Sequence, residues 1–197
     1  MRKIGLTGTI ASGKTTAGIL LRRKGFAVFD CDGYSRILYQ KTNPCYAKVA
    51  DAFGEKILDT FGEIDRVKLA AIIFSDPEKR RLLNSIVHPA IVEGMRRFFA
   101  RHESEPFAFA EVPLLFEANL QQEFDETLVI SCHKDAAIRR MIEDRNYTEE
   151  EAIARYEAQM NREEKEALAD HVIYNDGTIK ELDEAMNQYL EALEGRL

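Results

Sequence analysis

The sequence lacks any apolar run near the roughly 18 residues that a membrane-spanning helix needs. Residues 4–10 are too short, and too broken by Gly and Thr, for the apolar stretch of a signal peptide. Basic residues are in the minority, since 27 Lys and Arg stand against 34 Asp and Glu and the net charge is −7. Nucleic-acid binding needs a concentrated basic face. We therefore expect no membrane segment and no nucleic-acid partner, although local geometry can still bind a small anion.

Cysteine is scarce as well. Cys31, Cys45 and Cys132 lie far apart, without a CxxC pair or metal-ligand spacing. This pattern is typical of reduced thiols that fill apolar space, and it predicts a cytoplasmic protein. The 11 Gly and 5 Pro are ordinary amounts that exclude collagen-like or disordered character. With 45% hydrophobic residues among 197, the chain can build one core and a small appended domain.

Short apolar runs alternate with helical patterns along the chain. A helical pattern over residues 14–24 follows the first of these runs. Continuous apolar runs are typical of buried parallel strands, and strands separated by helices are typical of βαβ units. We therefore predict an α/β protein with a doubly wound parallel sheet, whose candidate strands are residues 3–7, 26–29, 107–112, 127–131 and 171–174.

Two inserts interrupt the alternation. Residues 43–102 are mostly helical in pattern, with a long helix over 77–100 and a turn or hairpin around Gly62. Residues 148–168 are helical and dense in charge, and Thr148 with Glu151 fits a capping box. We predict a core formed by residues 1–42, 103–147 and 169–197. Residues 43–102 are large enough for a helical substrate domain, and residues 148–168 are predicted to form a mobile lid.

The stretch "GTIASGKT", Gly8 to Thr15, matches the P-loop pattern G-x-x-x-x-G-K-[ST] between a predicted strand and a predicted helix. Backbone N–H groups of such a turn, with the positive end of the following helix, bind phosphate. Lys14 is expected on the β- and γ-phosphates and the Thr15 hydroxyl on Mg²⁺. The pattern predicts a nucleoside triphosphate site formed by Gly8, Ala11, Ser12, Gly13, Lys14, Thr15 and Thr16.

A P-loop alone does not decide between a switch protein and a phosphotransferase. A guanine-reading Asn-Lys-x-Asp motif is absent, and the nearest stretch, "HKDA" at residues 133–136, has His in place of Asn. The two D-x-x-G matches, "DAFG" and "DTFG", lie in the first helical insert instead of at the end of a core strand. The sequence therefore favours a kinase.

Asp30 and Asp32 follow the second predicted strand. Strand ends flank the ligand crevice of a doubly wound sheet, and residues two apart point the same way if the strand continues through both. A carboxylate there can orient an acceptor hydroxyl and accept its proton. For Asp30 the turn chemistry of a strand end is an equal alternative.

Five segments, in this order and spacing, resemble the dephospho-coenzyme A kinase family: "GLTGTIASGKTT", "FDCDGYSR", "LNSIVHP", "VPLLFE" and "DHVIYNDGT". The resemblance covers nearly the whole chain. It implies a five-stranded parallel core like that of nucleoside monophosphate kinases, a helical CoA-binding domain and a lid. It also implies ATP and Mg²⁺ as cofactors and phosphorylation of the ribose 3′-hydroxyl of dephospho-CoA.

The resemblance assigns acceptor-side roles to particular residues. Asp32 matches the catalytic aspartate of the family's D-x-D segment. Leu114 and Leu115 match apolar positions that pack the pocket wall. The acceptor-binding residues that it implies are Asp32, Arg36, His88, Pro89, Leu114, Leu115 and Glu117.

The resemblance also assigns roles on the ATP side. Lys14 is implied on the transferring phosphoryl group. Arg140 and Arg145 flank the helix that enters the predicted lid, and we expect them to neutralise charge on that group, although "RMIEDRN" departs from the arginine spacing usual in the family. Glu111, where the family more often has Asp, is implied with Thr15 at Mg²⁺. Asn175 and Gly177 are implied at the adenine. Thr9 and Ala11 occupy positions where the family often has Gly, and we expect the P-loop to keep its phosphate-binding conformation with these two residues.

Two other functions stay open on the sequence alone. A related P-loop kinase would differ chiefly in its acceptor, a nucleotide or another small metabolite. A nucleotide-binding module without activity is the other alternative. The sequence does not determine the oligomeric state, and a monomer is our expectation.

Overall fold

The computed structural model describes residues 1–196, and these form a sheet of five strands flanked by helices. The strand order is β2-β3-β1-β4-β5, and β1 pairs in parallel with both β3 and β4, as does β4 with β5. The predicted five-stranded parallel sheet is therefore confirmed. The strands are β1 (Arg2–Gly8), β2 (Val28–Asp30), β3 (Phe107–Glu111), β4 (Glu126–Ser131) and β5 (His171–Tyr174).

Nine helices of the described chain connect or cover these strands. Two of the predicted helical stretches appear with nearly the predicted bounds: the helix after the P-loop and the long helix of the first insert. The stretch predicted as helical over residues 148–168 forms two helices. The helices are α1 (Lys14–Arg23), α2 (Cys31–Leu38), α3 (Pro44–Phe53), α4 (Arg66–Ser75), α5 (Pro77–Arg101), α6 (Lys134–Arg145), α7 (Glu149–Glu157), α8 (Arg162–Ala167) and α9 (Ile179–Glu194).

The second strand is shorter than predicted. Phe26 lies before β2, and its ring contacts those of Phe107 and Phe109 at centroid distances of 5.8 and 5.7 Å. The apolar character that marked residues 26–29 as a strand therefore partly reflects packing on β3. The strand ends at Asp30, where α2 begins one residue later.

The chain divides into two compact units, each with its own core. The first comprises residues 1–29 and 102–197, and in it α1 and α9 pack with β1, β3, β4 and β5 around residues such as Leu6, Leu21 and Leu190. The second comprises residues 30–101 and contains α2 to α5 around a separate apolar cluster. The assignment of domains to functions stays a prediction.

The turn predicted around Gly62 is confirmed in the second unit. Leu58 and Ile64 form an antiparallel bridge across it, and Gly62 has a φ of 72°. That left-handed conformation favours glycine. The Tyr46 hydroxyl donates a hydrogen bond to the Gly62 carbonyl, which fastens the turn to α3.

The segment predicted as a lid forms α7 and α8 in the first unit. The predicted capping box is present at the start of α7, with Thr148 and Glu151 bonded reciprocally. Glu166 of α8 accepts hydrogen bonds from Ser131 at 2.5 Å and from Tyr174 at 3.2 Å. These contacts hold α8 to the ends of β4 and β5.

The three cysteines are free and buried, as expected from their spacing. Between residues 1 and 196, no helix combines the length and apolar character that a membrane crossing requires.

Candidate active site

The P-loop joins β1 to α1 through a turn in which Ala11 and Gly13 have φ angles of 55° and 95°. Gly8 has no room for a side chain, because a Cβ there would lie 2.6 Å from the Ile130 carbonyl oxygen. Ala11 adopts its left-handed conformation without the freedom of the glycine that the related family often has at this position, at a cost of about 1 kcal/mol.

Two side chains from distant parts of the first unit hold the P-loop backbone. Asn175 Nδ2 donates to the Ser12 carbonyl at 2.7 Å. Arg140 donates from Nη1 to the Ala11 carbonyl at 3.2 Å and from Nη2 to the Gly177 carbonyl at 3.1 Å. The structure thus brings together predicted residues from the P-loop, α6 and the loop after β5.

The start of α1 has the features of an anion site. Its N-cap is Gly13, and no side chain within residues 1–196 caps it, so the N–H groups of the first turn are without a side-chain acceptor. In the same part of the chain, the buried hydroxyl of Ser12 has no hydrogen-bond partner. Thr15 is exposed at the first turn. Phosphate oxygens would satisfy such donors.

Lys14 lies beside a buried carboxylate. Its Nζ is 3.5 Å from Glu111 Oε2, and the Arg22 Nη1 is 2.9 Å from Glu111 Oε1. The Glu111 side chain is only 4% exposed. Gly18 makes this arrangement fit, because a Cβ there would lie 1.8 Å from Glu111 Oε1. We call Lys14, Arg22 and Glu111 the ion cluster.

Sequence reasoning missed Arg22. Lys14, Gly18 and Arg22 are spaced by four residues on α1, and that spacing places them on one face of a helix. A basic residue eight positions after the P-loop lysine, with glycine midway, was therefore a signal for a shared acidic partner.

The residues present fit a magnesium ion. Mg²⁺ is usually bound through one or two carboxylates together with substrate phosphates and water. Thr15 precedes Gly18 by three positions on α1, and positions three apart share a helix face. Thr15 is exposed in the first turn of α1 and Glu111 is buried beside Lys14, so a hydroxyl and a carboxylate, both oxygen ligands, flank the P-loop lysine.

The two acids after β2 have different surroundings. Asp30 is the N-cap of α2, and its carboxylate accepts from the Gly33 N–H at 2.9 Å. Since the strand does not continue through both acids, the condition for their pointing the same way is not met. Asp32 lies in the first turn of α2 and is exposed, as is Arg36 one turn later. The cap explains Asp30 and leaves Asp32 as the candidate base.

His88 and Pro89 lie inside the long helix α5 of the second unit. His88 is half-buried, and burial lowers its pKa below the ordinary value. Pro89 lines a cavity of about 320 Å³ within this unit, together with Tyr34, Lys48 and Arg97 among others. Its walls combine apolar side chains with Lys48 and with the ion pair of Arg97 and Glu93, whose Nε and Oε1 atoms are 2.8 Å apart.

The residues predicted as acceptor-binding after β3 differ in their burial and in their partners. Leu115 is fully buried, and Gly5 lacks the Cβ that would lie 2.6 Å from it, whereas Leu114 is 48% exposed. Glu117 forms an ion pair with Lys165 of α8, with Nζ and Oε1 2.8 Å apart. Lys165 is only 1% exposed, so this is a buried pair that sequence spacing did not indicate.

The remaining predicted residues lie at α6 and the loop after β5. Arg145 ends α6 and is exposed. Asp176 accepts hydrogen bonds from the His133 backbone N–H and pairs with His133 Nδ1, each at 2.7 Å. Burial acts to raise the pKa of Asp176, but these hydrogen bonds outweigh it and the pKa is lowered. This pair fixes the loop that carries Asn175 and Gly177.

Comparison with known proteins agrees with this architecture. A family model described as dephospho-CoA kinase matches residues 2–181. A dephospho-CoA kinase of Bacillus cereus is 42% identical over 178 residues, which cover 89% of both chains. A crystal structure of a Thermus thermophilus protein has a TM-score of 0.84 and 33% identity, over 100% of this chain and 97% of that one. A dephospho-CoA kinase of Campylobacter jejuni has a TM-score of 0.75 and 25% identity, over 99% and 98%. The chain therefore belongs to the dephospho-CoA kinase family.

Proposed function

We propose that this chain transfers the γ-phosphoryl group of ATP to the ribose 3′-hydroxyl of dephospho-CoA, giving CoA and ADP in the last step of coenzyme A synthesis. The observation that carries the proposal is a P-loop whose backbone is held by hydrogen bonds from Asn175 and Arg140, with Lys14 at the start of α1, in a chain of this family. Phosphoryl transfer needs little covalent chemistry from the protein, so positioning and charge neutralisation account for most of the catalysis.

The P-loop binds the triphosphate. N–H groups from Gly8 to Thr16 and the uncapped start of α1 surround phosphate oxygens, with Ala11, Ser12 and Gly13 in the turn. Lys14 neutralises charge at the β- and γ-phosphates. Asn175 and Gly177 lie in the loop nearest the Ser12 and Ala11 carbonyls, and this loop is our candidate for the adenine site.

Thr15 and Glu111 would hold Mg²⁺, the Thr through its hydroxyl and the Glu through its carboxylate. The ion supplies charge neutralisation at the phosphates. The position of Glu111 supports this assignment, because it places a carboxylate, a preferred ligand type of Mg²⁺, 3.5 Å from the ammonium of the P-loop lysine.

Asp32 orients the acceptor hydroxyl and accepts its proton. Its exposed carboxylate, in contrast to that of Asp30, is not used as a helix cap. A general base must remain available to hydrogen bond with the substrate. Lys14 and Arg140 complete the proposed catalytic set.

The second unit binds the acceptor. Its cavity, with Pro89 in a largely apolar wall and the Lys48 ammonium near the Arg97–Glu93 ion pair, suits a ligand that carries both apolar and anionic parts. Arg36 and His88 are proposed at the acceptor phosphate and ribose. In the first unit, we propose the exposed Leu114, the buried Leu115 and the ion-paired Glu117 as further acceptor residues.

Arg140 and Arg145 are our candidates for the cations that neutralise the transferring group. Arg140 uses two of its N–H groups on backbone carbonyls, and a guanidinium has five, so donors remain for a phosphate. Within the proposed lid, residues 148–168, α8 is held to β4 and β5, so we propose that closure involves α7 and would exclude water and limit ATP hydrolysis. We propose a monomeric, cytoplasmic enzyme, and the three free cysteines suit a reducing compartment.

The direct test is identification of the product. Dephospho-CoA and ATP·Mg²⁺ are incubated with the protein, and the acceptor is examined by mass spectrometry and phosphorus NMR. The proposal predicts one added phosphate, located on the ribose 3′-oxygen. Phosphorylation of a nucleoside or another hydroxyl metabolite in place of dephospho-CoA would assign a different acceptor, and no phosphorylated product would contradict the proposal.

A further inference from the structure

The ion cluster contains two cationic side chains, Lys14 and Arg22, and one carboxylate, Glu111. Glu111 is a buried carboxylate with two cationic neighbours, Lys14 at 3.5 Å and Arg22 at 2.9 Å. The ammonium of the P-loop lysine is thus paired with a buried carboxylate. When ATP binds, the same ammonium group is drawn toward the phosphates.

Movement of Lys14 away from Glu111 would be costly if Lys14 were the only cation there. A buried carboxylate that loses its partner is strongly destabilising, because it is neither solvated nor paired. Arg22 is the nearer of the two cations, and its side chain is 38% exposed. Since it comes from the last turn of α1 and also lies 3.5 Å from the Val28 carbonyl, it can stay in place when Lys14 moves.

Gly18 preserves this arrangement. Any side chain at position 18 would occupy the space of the Glu111 carboxylate, with a Cβ 2.4 Å from its Cδ. The missing side chain lets Glu111 approach α1 between Lys14 and Arg22, so that one carboxylate serves both cations.

We propose that Arg22 is a positioning residue that keeps Glu111 compensated and thereby frees Lys14 for the phosphates of ATP. The role is distinct from phosphate binding, because Arg22 acts through Glu111. The inference rests on the ATP-binding part of the proposed function and is independent of the acceptor.

The test is ATP binding measured by calorimetry in the presence of a chelator, so that no metal ion can replace Arg22 beside Glu111. Arg22→Gln is expected to weaken binding about fivefold, the scale of a partly screened ion pair. Arg22→Lys should restore much of it. Arg23→Gln, at the adjacent exposed position, is the matched control and should bind like the unmodified protein.

The same substitution in a Glu111→Gln protein distinguishes a positioning role of Arg22 from a merely structural role. In Glu111→Gln the carboxylate charge is gone, so adding Arg22→Gln should leave metal-free ATP binding unchanged. An equal loss in both backgrounds, or no loss in either, would overturn the inference. Thermal unfolding of each variant shows that it is folded. Failure of the unmodified protein to bind ATP, with or without Mg²⁺, would instead contradict the proposed function itself.

Discussion

Asn175, in the loop after β5, donates a hydrogen bond from Nδ2 to the Ser12 carbonyl of the P-loop, 163 positions earlier in the chain, at 2.7 Å. Both ends of the bond are buried. The Asn side chain also fills the space beside Gly13, where a Cβ would lie 2.4 Å from Nδ2. The loop after the last strand therefore sets the backbone geometry of the phosphate site.

Asn175→Ala should weaken both the fold and ATP binding. The Ser12 carbonyl would lose its donor inside the protein, which costs about 1–3 kcal/mol of unfolding free energy. Urea unfolding and ATP binding measure the two effects. Asn187→Ala, at an exposed position of α9, is the control. If Asn175→Ala matched the control in both measurements, the bond would not support the P-loop.

Gly18→Ala should destabilise the protein by about 2 kcal/mol, because the new methyl group overlaps the Glu111 carboxylate. The sign is informative, since replacing glycine by alanine inside a helix ordinarily stabilises it by about 0.5–1 kcal/mol. Denaturant unfolding provides the value. Gly195→Ala, where the nearest atom lies 3.5 Å from the new Cβ, is the matched control. A stabilised Gly18→Ala variant would show that Glu111 does not need this position.

Lys165→Met should destabilise the protein by about 3 kcal/mol or more, since it leaves the Glu117 carboxylate buried without its partner. Adding Glu117→Gln should recover part of the loss. Lys180→Met, at an ammonium whose side chain is 86% exposed, should change little. Should the double variant be no more stable than Lys165→Met alone, the two residues would not act as a pair.

Alkaline stability should depend on Tyr189. Burial, and then the hydrogen bond to Glu126, raise the pKa of Tyr189 above its ordinary value. Above about pH 10 the unfolded chain loses this proton before the folded chain does, so stability falls as the pH rises. In Tyr189→Phe that decline should be shallower, which urea unfolding between about pH 9 and about pH 11 can measure. Identical slopes in both proteins would contradict this.

The sequence allowed local features to be predicted well. The P-loop between β1 and α1, the capping box at Thr148 and Glu151, and the extent of α5 each depend on residues close together in the chain. Local hydrogen bonding and helical periodicity determine such features, so the pattern carries the information. The order of the strands in the sheet requires contacts between distant segments, and it was not predicted from the sequence.

The sequence pattern did not predict the ion pairs and hydrogen bonds that join distant segments of the chain. Lys165 and Glu117, or Asn175 and Ser12, meet only when the fold brings them together. A buried lysine has the same appearance in the sequence as a solvated one on a charged helix. Asp30 shows a related limit, because the residue at which β2 ends decides between a paired carboxylate and a helix cap.

The central claim is acceptor-dependent phosphoryl transfer with Asp32 as the base, and ADP release from ATP·Mg²⁺ with and without dephospho-CoA tests it most directly. We predict strong stimulation by dephospho-CoA and its loss, by about a hundredfold or more, in Asp32→Asn with ATP binding intact. Asp51→Asn, at an exposed carboxylate of α3, should retain the stimulation. Absence of stimulation in unmodified protein that binds ATP would contradict the acceptor, and stimulation that survives Asp32→Asn would remove Asp32 as the base.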